Sequence, residues 1–191
     1  MQAKTLSQIV KADIQTPISD NDIRTICNGR VEVLSYKMLS DLANRGQNLM
    51  QMFKPEKNNC ICLLYQWPGQ AVGHWVAIIY DENTDEINFF NSYGYPPDRE
   101  TNQQLLTKML ADTHKKININ TTRYQTLSDN VSTCGLHSAI RCVFNEYNNK
   151  EYHKMITSIS ISLIGDNKNS RYDKLVSLMS VLPLKFNIPQ D

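Results

Sequence analysis

No run of apolar residues in this chain is long enough to cross a bilayer, and the segment MQAKTLSQIVKADIQ has no continuous apolar core of the kind a secretory leader needs. The CxxC pairs that build structural zinc sites are missing, as are internal repeats and extended low-complexity tracts. Neither sign of charge is in excess: 20 Lys and Arg against 19 Asp and Glu leave a formal +1, with only short basic clusters such as His114-Lys115-Lys116. These absences argue against a membrane span, a zinc ribbon and a nucleic-acid binder driven by net charge. Five cysteines, an odd number, with no secretory signal fit a reducing compartment better than a disulfide framework. What is there, 191 residues of which 41% are hydrophobic, is expected to form one domain over 1–191 with a substantial core.

Hydrophobic periodicity predicts a helix over 20–27, a short extended run RVEVLSY, helical pieces over 37–53, and strands over 59–66, 73–81 and 86–92. A polar helix, ETNQQLLTKMLADTH, a strand over 116–125 and a helix opening at Cys134 follow. Two further helices are expected in YHKMITSISISLI and RYDKLVSLMSVL, with Pro183 stopping the second. The ISIS alternation leaves the first open between helix and strand. The stretch Gly165 to Asn169 reads as a loop between them. Together these elements predict an α+β fold, a small central mixed β-sheet packed against helices.

The chemistry concentrates at Cys134. In CGLHSAIRCVFNEY the apolar residues Leu136, Ile140, Val143, Phe144 and Tyr147 fall mainly along one helical face, and Ser132 and Thr133 offer capping chemistry before it. The positive end of the helix dipole should lower the thiol pKa. Gly135 should let a substrate backbone approach and leave its amide free for an oxyanion. An isolated cysteine at a helix start is more often a small buried hydrophobe. The balance changes because a histidine, His74, lies in the strand GHWVAIIY and the next strand, EINFF, runs into Asn91. Adjacent hairpin strands can hold these two side by side, the amide fixing the imidazole's tautomer and orientation. The remaining cysteines and histidines offer no stronger rival. Cys60 and Cys62 point to one face of a strand, and Cys27 and Cys142 read as packing. His137 projects from the helix rather than toward its mouth, while His114 and His153 sit in polar segments and read as solvated.

The order of His in GHWVA, an amide in FFNSYGYPPD, then Gln and Cys in YQTLSDNVSTCGLH resembles the adenovirus-type (adenain-like) viral cysteine endopeptidases and the related SUMO-deconjugating (Ulp-like) proteases. The likeness is greatest to the viral branch, and ISDNDI near the start of this chain also fits that branch's N-terminal segment, so the resemblance spans roughly residues 17 to 147; the C-terminal forty or so residues carry no matching motif. The resemblance implies that fold, with the nucleophile at the N-terminus of a core helix. It implies His74 as general base, Asn91 as its orienting partner, Cys134 as nucleophile and Gln125 as oxyanion donor. Gln125 stands nine residues before Cys134, farther than is usual in the family. Asn91 replaces the aspartate often found there. The family's tryptophan walls a narrow channel, a role that falls to Trp75, whereas strand alternation would send its ring to the core, away from His74. Trp67-Pro68-Gly69 is expected to be a turn bordering the cleft or an exposed tip, and Tyr93 to Pro97 a stiff loop able to meet substrate.

By the same resemblance the substrate is a polypeptide cut after small residues, at Gly-Gly or Gly-Xaa sites. The first reading is a viral protease maturing capsid or core precursors in the virion or in the cytoplasm or nucleus of an infected cell, and not secreted. A second is removal of ubiquitin-like modifiers, and a third a catalytically silent virion-associated module. No metal or cofactor is implied; some viral members take a nucleic-acid or peptide activator, which the residues themselves do not indicate.

Overall fold

The computed structural model describes residues 6–66, 73–101, 103–165 and 170–181. In chain order they form α1 (Leu6–Gln15), α2 (Asp20–Ile26), β1 (Glu32–Ser35), α3 (Tyr36–Asn44), two short 3-10 turns (Leu49–Met52 and Pro55–Lys57), β2 (Cys60–Gln66), β3 (Gly73–Asp81) and β4 (Glu86–Asn91). Then come α4 (Leu105–Ala111), β5 (Lys116–Ile119), α5 (Cys134–Val143), α6 (Asn149–Ile164) and α7 (Arg171–Val181). The strands make one sheet in the order β1-β2-β3-β4-β5. The two outer pairs are parallel and the two inner pairs antiparallel. This is an α+β fold built on a mixed sheet. No described helix is long and apolar enough to cross a membrane.

Both faces of the sheet are covered, which is why β2 and β3 read as near-continuous apolar runs rather than alternating ones. Cys60, Cys62, Trp75, Ala77, Ile79 and Phe90 share a core with Leu136 and Ile140 of α5 and with residues of α2, α6 and α7. Ile61, Leu63, Tyr65, Val76, Ile78 and Phe89 pack on the other side with Leu39 of α3 and Leu106 and Met109 of α4. Helix α5 lies inside rather than on the surface, since every residue from Gly135 to Cys142 is buried. Its polar side chains therefore need internal partners. Arg141, fully buried, donates to the carbonyls of Phe144 (2.8 Å) and Tyr147 (2.7 Å) and lies over the Tyr152 ring at 5.0 Å. It satisfies the chain where the helix ends.

Several boundaries differ from the sequence pattern. The strand expected over 116–125 stops at Ile119 because Asn120 turns its side chain back on β4. Its Oδ1 accepts the Asn91 amide at 2.7 Å and its Nδ2 donates to the Asn91 carbonyl at 2.9 Å, replacing the next ladder rung. The polar helix is confined to Leu105–Ala111; the chain before it forms a turn around Asp98, which has φ of 62° and accepts the Thr107 amide at 2.7 Å. The ISIS segment is helical, its start fixed by a capping box between Asn148 and Glu151. Helix α1, packed on α7, has no counterpart among the expected elements. His153 is half-buried, its ring nitrogen 3.2 Å from the Tyr124 hydroxyl, rather than solvated. Trp67 to Gly69, Asp166 to Asn169 and Pro183 lie outside the described residues.

Arg141→Ala removes a buried cation and leaves two carbonyls unsatisfied. It is expected to cost about 3 kcal/mol, read from the urea midpoint at constant slope.

Candidate active site

The site begins with strand register. Val76 of β3 pairs with Asn91 at the end of β4, so His74 and Asn91 project from the same face as diagonal neighbours. His74 Nε2 lies 2.9 Å from Asn91 Oδ1. That oxygen also accepts the Tyr93 amide at 2.9 Å, and Asn91 Nδ2 donates to Glu100 Oε2 at 2.7 Å. The Asn91 amide is thus oriented from both ends. Because its oxygen faces Nε2, that nitrogen carries the proton and Nδ1 holds the free lone pair. His74 Nδ1 is buried with no hydrogen-bond partner among the described residues. The Tyr93 ring covers the imidazole, centroids 4.3 Å apart and planes 14° from parallel. Burial lowers the imidazole to about 4, against the Asn91 bond, which favours the charged form.

Cys134 is the first residue of α5 and half-buried. Main-chain amides of Trp75, Gly135 and Cys134 itself face its sulfur, which places the sulfur beside the residue that follows His74. These amides favour the thiolate, yet burial outweighs them and the thiol is raised above its usual range. The helix-start amides thus act on the thiol in the direction expected from sequence, against a larger opposing effect of burial. Thr133 does not cap the helix: its hydroxyl donates to Asp173 Oδ1. The Ser132 amide donates to the Ile14 carbonyl at 2.7 Å.

His74, Cys134, Trp75, Tyr93, Gln125 and Ile18 line one cleft of about 400 Å³. Trp75 is 5% exposed; its ring joins the core beneath α5, as alternation requires, and also walls the cleft. Gln125 is buried with its amide engaged. Its Oε1 accepts the Ser92 hydroxyl at 2.8 Å, and its Nε2 donates to the Val131 carbonyl over a longer 3.3 Å. The space beside Gly135 belongs to the chain's own N-terminal segment: a Cβ there would stand 2.4 Å from Ile18 Cγ1. Among the described residues no group of three or more His, Cys, Asp or Glu is arranged to hold a metal ion.

Two carboxylates escaped the sequence reading. Glu100, expected to begin a polar helix, instead sits in the turn behind Asn91 with Oε1 3.5 Å from His74 Nε2. Asp173 of α7, fully buried, accepts the Thr126 amide and hydroxyl (3.0 and 2.7 Å), the Thr133 hydroxyl, and His137 Nε2 at 3.1 Å. It ties the chain after Gln125, the residue before the thiol and α5 itself to one helix. Burial works to raise its carboxyl, but the bonds from His137, Thr133 and Thr126 win and hold it below the usual carboxylate range. An acid between Tyr172 and Leu175 on the buried face of an apolar helix was the one available signal.

No protein-family model matches the chain, and no curated protein matches it in sequence. Among solved structures it is similar to the central domain of the uncharacterized Lpg1148 protein of Legionella pneumophila, at 14% identity and a TM-score of 0.40, over 85% of this chain and 98% of that one. So distant a likeness carries no argument about activity.

Asp173→Ala is expected to destabilise by about 3 kcal/mol. Because the folded pKa is depressed, this carboxylate's contribution is complete above the unfolded value of about 4 and disappears as pH falls through the folded one. Melting temperature followed from pH 6 to pH 2 should therefore fall less steeply for Asp173→Asn than for the parent. Gly135→Ala should cost about 1–3 kcal/mol by overpacking Ile18, and Ile18→Ala in the same chain should recover most of it; calorimetric melts of the three variants check this.

Proposed function

We propose that this protein is a cysteine endopeptidase with Cys134 as nucleophile, His74 as general base and Asn91 as the residue that orients it. The observation that carries the reading is the Asn91 bond to His74 Nε2, which leaves a buried Nδ1 with no hydrogen-bond partner among the described residues, in a protein whose Cys134 sulfur faces the adjoining Trp75 amide. The order of these residues, with its resemblance to the adenain-like viral endopeptidases, supports the same assignment.

In this reading His74 Nδ1 takes the thiol proton as the sulfur attacks the carbonyl carbon of a peptide or isopeptide bond. The carbonyl electrons move to oxygen and are held by the amide of Cys134 and by the second N–H of Gln125 Nε2, the first being taken by the Val131 carbonyl. Collapse expels the amine, which leaves with the proton from His74. Water then adds to the thioester, giving a proton to the imidazole, and the thiol is regenerated as the acid departs. Trp75 and Ile18 crowd the cleft, which favours small residues, of Gly-Gly or Gly-Xaa type, before the scissile bond. Maturation of viral capsid or core precursors is the biological role the resemblance points to. A second reading, a silent binding module of the same fold, draws on two observations: the thiol is raised and Gln125 is occupied in the free protein.

Labelling with a Gly-Gly vinyl sulfone separates the two. A single adduct at Cys134 is expected, abolished in Cys134→Ala and slowed by about 100-fold or more in His74→Ala. No adduct, or adducts scattered over Cys27, Cys60, Cys62 and Cys142, would favour the silent module. Once labelling succeeds, Gly-Gly precursor peptides set against modifier conjugates tell a maturation protease from a deconjugating one.

A further inference from the structure

We propose that Glu100 is a positioning residue for His74, supplying from behind the carboxylate that the amide of Asn91 lacks, so that His74, Asn91 and Glu100 act as one relay. The proposal rests on the cysteine-protease reading above and adds a member to its machinery. The two carboxylate oxygens divide their contacts. Oε2 accepts Asn91 Nδ2 at 2.7 Å and Oε1 stands 3.5 Å from His74 Nε2, the nitrogen whose proton already points to Asn91. The Glu100 side chain is 10% exposed and that of His74 2%, so water screens the pair weakly.

The turn that delivers Glu100 is held by several elements at once. Asp98 accepts the Tyr36 hydroxyl at 2.9 Å on one oxygen and the Thr107 amide at 2.7 Å on the other, while its own amide donates to the Tyr65 hydroxyl at 3.2 Å. Residues of α3, α4 and β2 therefore fix the turn two positions before Glu100. A surface glutamate would need no such anchoring.

The groups that face Glu100 decide what its charge does. They are His74 from β3, Asn91 at the end of β4, Tyr65 from β2, Tyr93 and Arg99 from its own loop, and Cys134 from α5. Burial raises its carboxyl to about 7, with the Asn91 bond and Arg99 pulling the other way. Burial, joined by a smaller push from His137 of α5 and opposed by the Asn91 bond, holds His74 at about 4, so between these values carboxyl and imidazole are both neutral. Above about 7 the carboxylate stands ready, and a proton passed from the thiol to Nδ1 creates an imidazolium facing an anion. Glu100 also opposes the Cys134 thiolate, but less than burial and the three main-chain amides act on the thiol, whereas the imidazole lies at 3.5 Å. The net effect is a thiol–imidazole pair that arms as pH rises through 7.

The test needs no substrate. Alkylation of Cys134 by chloroacetamide, followed from pH 5 to 9 with Cys134→Ala as blank, should show an inflection near 7 in the parent. Glu100→Gln, which keeps the volume and the oxygen facing Asn91, should lose that inflection and react about tenfold more slowly at pH 8. Asn91→Asp in the same chain, which returns a carboxylate to the imidazole, should restore most of the rate. Independently of any variant, the ring nitrogens of His74 in the ¹⁵N-labelled parent should shift with the same inflection. Alkylation profiles of parent and Glu100→Gln that superimpose within about twofold, or His74 resonances flat from pH 6 to 8, would overturn the proposal. Should Gly-Gly substrates go uncleaved while the shared inflection is present, the protease reading falls and the relay stands. Cleavage with no Glu100 effect removes the relay alone.

Discussion

The antiparallel register of β3 and β4 is the constraint on which the rest of the site depends. With Val76 opposite Asn91, the imidazole of His74 and the amide of Asn91 emerge on one face, diagonal to each other and within a single hydrogen bond. A slip of one residue would turn either side chain to the opposite face. Slippage is prevented by burial: both faces of the inner strands are packed, so every alternative register exchanges two complete sets of core contacts. The Asn120 side chain then clamps both main-chain groups of Asn91, so Asn91 is fixed by backbone and side chain together.

The second organising influence is desolvation. The sheet and helices enclose α5 on all sides, and groups that would ionise in water are pressed toward neutrality: the thiol upward, the imidazole downward, the Glu100 carboxyl upward. Asp173 escapes because four donors converge on it. The same burial thus yields two kinds of carboxylate, one locked as an anion for structure and one poised near neutrality beside the imidazole. At Asp173 the hydrogen bonds outweigh burial, whereas at Glu100 burial outweighs the Asn91 bond and Arg99.

The central strands and the meeting of His74 with Asn91 were legible in the sequence because both leave local signatures. CICLLYQ and GHWVAIIYD are apolar runs of strand length, EINFFN ends in an amide, and TCGLH opens a helix. What could not be read is whatever depends on chain segments meeting from far apart. Glu100 looked like helix because ETNQQLLTKML has helical composition, whereas the anchoring of Asp98 by Tyr36, Tyr65 and Thr107 holds it in a turn. ININTTRY alternates as a strand does, but Asn120 spends its side chain on Asn91 and ends the ladder. The helix dipole at Cys134 was correctly placed, yet its effect on the thiol depends on how much water the fold removes, a property of the assembled protein. Thr133 carried capping chemistry and used it on Asp173 instead.

The surroundings of Cys134 are drawn from two stretches far apart in the chain. Ile14 and Ile18 hold the Ser132 amide and fill the space over Gly135, while Asp173 fastens Thr126, Thr133 and His137. On the ribosome the thiol, the imidazole and the amide all emerge before Asp173 does. A nascent chain therefore carries Cys134, His74 and Asn91 before the residue that fastens Thr126, Thr133 and His137 has been made.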